Sequence, residues 1–125
     1  MLGHFISVGI GGALGAMARY GVGLAVVRAF GQGFPLGIIT VNVLGSFLMG
    51  VAVVIAGQRG LDWMSPLLMT GFLGGFTTFS AFSLEAYTLY ERGEVGQAAL
   101  YVVLSVALSI GGLVLGVWMT RSLLA

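Results

Sequence analysis

Gly71-Phe72-Leu73-Gly74-Gly75-Phe76-Thr77-Thr78-Phe79-Ser80-Ala81-Phe82-Ser83 lies within an apolar segment long enough to span a bilayer. It carries glycines, hydroxyls and spaced phenylalanines where lipid favours plain aliphatic side chains. The mixture reads either as a pathway or as a tightly packed Gly/Ser/Thr helix contact with core aromatics. Gly71, Gly74 and Gly75 have no Cβ, so the first half of the stretch can leave the helix cheaply. A break there frees backbone groups. Within a membrane, such backbone survives only when buried in protein or lining a wet cavity, where its carbonyls can hold a cation. The second half, Thr77 to Ser83, supplies hydroxyl donors, and Phe79 and Phe82 stand at helical i, i+3 spacing on one face. Ring edges are electropositive. Edges together with hydroxyls replace the water around a small anion without a fixed cation that would hold it too tightly.

The surrounding composition is that of an integral membrane protein: of 125 residues, 58% are hydrophobic and 7% charged, too few charges for a soluble surface. With no cysteine, disulfides, thiolate ligands and cysteine nucleophiles are excluded. A net charge of +1 and five scattered arginines leave no nucleic-acid footprint. Phe5 to Leu14 followed by Ala16-Met17-Ala18 imitates a signal peptide, but no Lys or Arg precedes it, and cleavage would remove most of a span. The segment is therefore read as retained.

Four hydrophobic blocks follow one another, Leu2 to Val27, Leu36 to Ala56, Leu61 to Leu89 and Val95 to Leu124, each reaching the about 20 residues that a spanning helix needs. Breaker and charge clusters separate them at Arg28 to Pro35, Gly57 to Asp62 and Glu91 to Gly96. The expectation is an all-α membrane protein: one four-helix domain over residues 1–125, with both termini on one side. Arg59 and Arg121 fall on the side of the termini, and Arg28 and Arg92 on the other. The positive-inside rule has nothing to act on. Such balance permits insertion in both directions, so that two copies meet antiparallel across a two-fold axis in the membrane plane; alternatively, so few charges balance by chance, or Arg19 or lipids decide orientation.

Polar residues within the spans are the remaining signals. In block one, Gly11 and Gly15 form a small-xxx-small surface, and Arg19 is a charge inside a hydrophobic segment that caps carbonyls, pairs with a polar neighbour, snorkels or, as the less favoured reading, contacts a permeating ion. A dinucleotide-binding reading fails, because Gly9 and Gly11 are followed by Leu14 where the third glycine belongs and no βαβ unit is available. In block two, the Asn42 amide needs either an interhelical partner or an anion, and Ser46 lies one turn on along the same face. Glu85 near the end of block three is an interfacial carboxylate or shapes a pore entrance. In block four, Tyr101, Ser105 and Ser109 form a line at i, i+4, i+8, either back-bonded serines or one wall of a hydrated track. No second carboxylate stands near Glu85, acid/base pairs, Ser/His/Asp sets and metal-ligand spacings are missing, and the only histidine is His4, so no enzyme is expected.

Taken together, these residues resemble the small bacterial fluoride channel family, often called Fluc or CrcB. The resemblance covers nearly the whole chain. It is carried by Gly-Gly-x-x-Gly-Ala-x-x-Arg-Tyr at Gly11 to Tyr20, Val-Asn-x-x-Gly-Ser-Phe at Val41 to Phe47, and Gly-Phe-x-Gly-Gly-x-Thr-Thr-Phe-Ser-x-Phe at Gly71 to Phe82. The resemblance implies four-helix subunits with the third helix broken, paired as an antiparallel dual-topology homodimer in the bacterial inner membrane. Two fluoride pathways then run along the subunit interface. By the same resemblance, Phe79 and Phe82 are pore phenylalanines, Asn42 and Ser80 are pore-lining donors, and Tyr101, Ser105 and Ser109 form a polar track. Glu85 matches an acidic position near the pathway, and Arg19 a structural one. The resemblance also implies one structural sodium ion per dimer, enclosed by backbone carbonyls of both subunits at positions that match Gly74 and Thr77. One departure concerns a threonine that some members carry one turn before the block-two asparagine, where this chain has Ile38; Thr40 is near but on another face.

The implied function is passive electrodiffusion of F⁻ out of the cytoplasm, relieving fluoride toxicity. Two rivals stand beside it. A small multidrug-type dimeric cation exporter has a similar size, but depends on a carboxylate in the first span, where this chain has Arg19 and no acid. A structural membrane subunit explains the glycines and leaves Asn42, Phe79, Ser80 and Phe82 without a purpose.

Overall fold

A computed structural model describes residues 1–31 and 33–125, and every described element is helical. Helix α1 spans Leu2–Phe30, α2 Leu36–Arg59 and α5 Val95–Leu124. Between α2 and α5 lie a 3-10 turn at Asp62–Met64, a π-helical segment at Pro66–Leu73, the short α3 at Gly74–Phe76, and α4 at Ser80–Glu91. Four helical stretches, Leu2–Phe30, Leu36–Arg59, Asp62–Glu91 and Val95–Leu124, are long and apolar enough to cross a membrane. The first of them runs beyond Val27 and the second beyond Ala56, in each case taking in the arginine of its last turn. A cation there faces the negative end of the helix dipole.

The turns follow from the glycines that the sequence places between the blocks. Gly60 and Gly93 adopt φ of 68° and 82°, a region closed to side chains with a Cβ. At each, the next residue's N–H reaches back to a carbonyl of the last helical turn: Leu61 to Ala56 at 3.0 Å and Glu94 to Leu89 at 3.0 Å. Both chain reversals are thereby closed without solvent.

Packing places α2 along α5, and α1 along the π segment and α3. Both contacts are made backbone to backbone. A methyl group at Gly11 would overlap the Leu67 carbonyl and one at Gly15 the Phe72 carbonyl; Gly50 and Gly116 stand in the same way against the Leu113 and Phe47 carbonyls. Without a hydrophobic drive between helices in lipid, this close approach is what holds them together. A small aromatic core, Phe82, Leu89, Tyr101 and Ile39, fills the space between α4, α5 and the start of α2. Much of the outer surface is large and apolar, including Phe5, Trp63, Leu84, Val103 and Trp118, as a surface facing lipid or another subunit requires.

Candidate functional site

At Thr77 the backbone turns extended, with φ −85° and ψ 160°, and helix resumes only at Ser80. The chain between is held by side chains where a helix would use its own backbone. Thr78 N–H donates to Asn42 Oδ1 at 2.7 Å, and Asn42 Nδ2 donates back to the Thr78 carbonyl at 2.9 Å. Ala81 N–H donates to Thr78 Oγ1 at 3.2 Å. In a continuing helix those two N–H groups would go to the carbonyls of Gly74 and Thr77. Thr77 itself directs both its N–H and its hydroxyl to Leu73 O, at 3.0 and 2.9 Å. Arg19 Nε donates to Gly75 O at 3.2 Å, so the intramembrane arginine caps a carbonyl of this same region.

A groove of about 420 Å³ opens beside the extended residues, between α2, the Thr77–Phe79 stretch and α5. Asn42, Ser46, Phe79, Phe82, Ser105 and Ser109 line it, together with Thr77 and Thr78. Among the described residues lining it, none is charged. The rings of Phe79 and Phe82 lie 5.5 Å apart, tilted by 45°. They differ in setting: Phe82 is buried, whereas Phe79 is 77% exposed and projects from the subunit. Tyr101 is fully buried against Phe82, with centroids 5.3 Å apart, and against Phe34 edge-on at 5.6 Å.

Two hydroxyls of the α5 line are buried without a partner, Tyr101 OH and Ser105 Oγ. The contrast with other hydroxyls is informative, since Thr40, Ser83, Thr88 and Thr120 all donate to the carbonyl one turn back. Ser105 does not, although the same bond is sterically open to any helical serine. A buried polar hydroxyl left in this state is costly unless water or an ion completes it.

Other residues singled out in the sequence lie elsewhere. Ser80 is exposed and outside the groove lining, its hydroxyl 3.4 Å from that of Thr78. Glu85 lines a separate cavity of about 570 Å³, with Arg19, Arg92 and Ile38. Thr78 lines both cavities. It is the residue that sequence reasoning passed over: in Thr77-Thr78, nothing in the sequence says which hydroxyl folds back and which side of the backbone is clamped. Gly74 contributes no side chain, and its relevance is confined to the carbonyl whose donor Asn42 diverts.

A short, cysteine-free bundle of membrane-spanning helices, with an uncharged groove in which hydroxyls, an amide and phenyl rings stand among aliphatic side chains such as Met49, Val106, Ile110 and Leu113, defines a small polytopic membrane protein of the ion-pathway class. The chain belongs to the CrcB family: the family model described as CrcB-like protein, Camphor Resistance (CrcB), matches residues 6–117. Relatives named "Fluoride-specific ion channel FluC" are similar over most of their length. That of Jannaschia sp. (strain CCS1) is 68% identical over 105 residues, covering 80% of this chain and 100% of the relative. That of Ruegeria sp. (strain TM1040) is 58% identical over 125 residues, 99% of each chain, and that of Cereibacter sphaeroides (strain ATCC 17029 / ATH 2.4.9) is 55% identical over 125 residues, 100% of each.

Proposed function

We propose that this protein is a fluoride-selective channel, passing F⁻ out of a bacterial cytoplasm by electrodiffusion across the inner membrane. The observation that carries the reading is the uncharged groove with its unpartnered Ser105 hydroxyl, in a chain whose relatives are named fluoride-specific. Fluoride is the smallest halide and the hardest to dehydrate, so it is selected by donors that close around a small sphere. Asn42 keeps one amide hydrogen after its bond to Thr78, Ser46 adds a hydroxyl on the same α2 wall, and Ser105 and Ser109 add hydroxyls on the α5 wall. Phe82 contributes a ring edge from within, and exposed Phe79 contributes one toward a facing subunit.

The functional unit in this reading is an antiparallel, dual-topology homodimer, supported by the balance of Arg28 and Arg92 against Arg59 and Arg121 and by the exposed apolar surface. The interruption of the third span at Thr77–Phe79 serves both as pore wall and as a source of free carbonyls. Those of Gly74 and Thr77, whose helical donors are diverted, fit a hard monovalent cation, since neutral carbonyl oxygens suit sodium where thiolates or imidazoles would not. Bound between two subunits, one sodium ion would supply positive potential near the anion path. The groove residues then act by stripping water, orienting donors and excluding larger anions.

The test is fluoride efflux from liposomes holding the purified protein, with valinomycin to carry compensating potassium and chloride-loaded controls. Fast electrogenic fluoride release without chloride release, reduced at least about a hundredfold in Phe79→Ile and Phe82→Ile, is expected for a pore of this kind, equivalent to about 2.7 kcal/mol at the barrier. No release from verified dimers would return the groove to a packing defect.

A further inference from the structure

We infer that Asn42 is a positioning residue for the cation held by the Gly74 and Thr77 carbonyls, in addition to lining the groove. This inference rests on the sodium part of the reading above. Its basis is the reciprocal pair between the Asn42 side chain and the Thr78 backbone, at 2.7 and 2.9 Å. A backbone N–H only donates and a carbonyl only accepts, so the two partners fix which end of the amide faces which. A primary amide at this position satisfies both bonds at once. A serine or threonine hydroxyl there is too short, and a carboxylate lacks the donor.

The consequence for the cation lies one turn back. Thr78 N–H is the group that would close a helical turn on Gly74 O, and Asn42 Oδ1 takes it instead. The Thr78 hydroxyl does the same for the next carbonyl, taking the Ala81 N–H that would go to Thr77 O. Leu73 O, by contrast, receives both Thr77 N–H and Thr77 Oγ1 and has no spare capacity. Gly75 O accepts from Arg19. Of the carbonyls across the break, Gly74 O and Thr77 O are the ones whose helical donors are taken up by a side chain, Thr78 N–H by Asn42 and Ala81 N–H by Thr78.

Close contact keeps this arrangement in place. A Cβ at Gly45, one turn along α2 from Asn42, would overlap Thr77 Cγ2 and stand 3.2 Å from the Phe76 ring, so α2 presses directly on the extended stretch. Asn42 thus couples the two halves of the site, since one amide both frees a carbonyl and keeps one hydrogen for the groove. Loss of fluoride flux in an Asn42 variant would not separate these roles, so the readout must be the cation itself.

The experiment measures thermal unfolding of the purified full-length dimer as sodium replaces N-methylglucamine at constant ionic strength. Wild type is expected to be stabilised with a saturable sodium dependence. In Asn42→Leu, Thr78 N–H is released to Gly74 O, and the half-saturating sodium concentration is expected to rise about tenfold or more, the usual cost of removing a group that orients a ligand. Asn42→Asp keeps the acceptor for Thr78 N–H and is expected to retain sodium stabilisation while losing fluoride flux. Val54→Ala, a buried site elsewhere on α2, lowers the melting temperature in both salts and leaves the sodium dependence intact. An Asn42→Leu protein with the wild-type sodium dependence overturns the inference. Should that variant not fold, Asn42→Ser, whose hydroxyl is too short to reach the Thr78 backbone, with a wild-type sodium dependence overturns it equally. A wild type with no sodium dependence removes the cation reading beneath it, and is recognisable before any substitution is made.

Discussion

Arg19 is a single charge within an apolar span, and the fold spends it on one carbonyl, Gly75 O, at 3.2 Å. Replacing it by methionine keeps the apolar stem and removes the donor. Arg19→Met is expected to cost about 1–3 kcal/mol, read as a lower melting temperature of the purified protein. At this scale the sequence marked which polar groups need partners but not their geometry. It flagged Arg19, Asn42 and the Tyr101, Ser105, Ser109 line as needing partners, because polar groups in an apolar span must be satisfied. Which hydroxyl bonds back to its own helix and which stays open is decided by neighbours: Thr120 donates to Gly116 O at 2.7 Å, whereas Ser105 faces the groove without a partner. Ser80, expected in the pore lining, sits outside the groove of the single subunit, exposed beside Thr78.

Between elements, the glycine rows set how near two helices come. Gly15 faces the Phe72 carbonyl and Gly11 the Leu67 carbonyl, so α1 lies directly on the π segment. Gly15→Val would drive two methyls into that carbonyl and is expected to destabilise by about 3 kcal/mol or more, or to prevent recovery of folded protein, as judged by size-exclusion profile and thermal melting. The small-xxx-small spacing was legible, because a glycine every fourth residue lines one helical face. The π geometry of Pro66–Leu73 was not. Pro-Leu-Leu-Met-Thr-Gly-Phe-Leu is apolar on every side, so no polar stripe distinguishes a wide turn from an ordinary one, and the choice falls to what packs against it.

For the whole molecule, the arginine distribution leaves orientation undetermined by charge, and the proposed dimer requires both orientations in one membrane. The chain has no cysteine, which makes Ala125→Cys a clean reporter. In intact cells, a membrane-impermeant maleimide is expected to label about half of the copies, and the remainder only after permeabilisation; labelling of all copies from one side would rule out dual topology. What the sequence determined alone was the four-span membrane character and which polar groups in the spans need partners, because hydropathy over about 20 residues and polar groups in apolar runs are local properties. The tertiary structure decided the rest. Asn42 and Thr78 are 36 positions apart, yet their reciprocal bonds hold the extended stretch at Thr77 and divert the helical donor of the Gly74 carbonyl. A contact of that kind exists only once α2 has packed against the interrupted span, since neither residue's neighbours in sequence specify its partner.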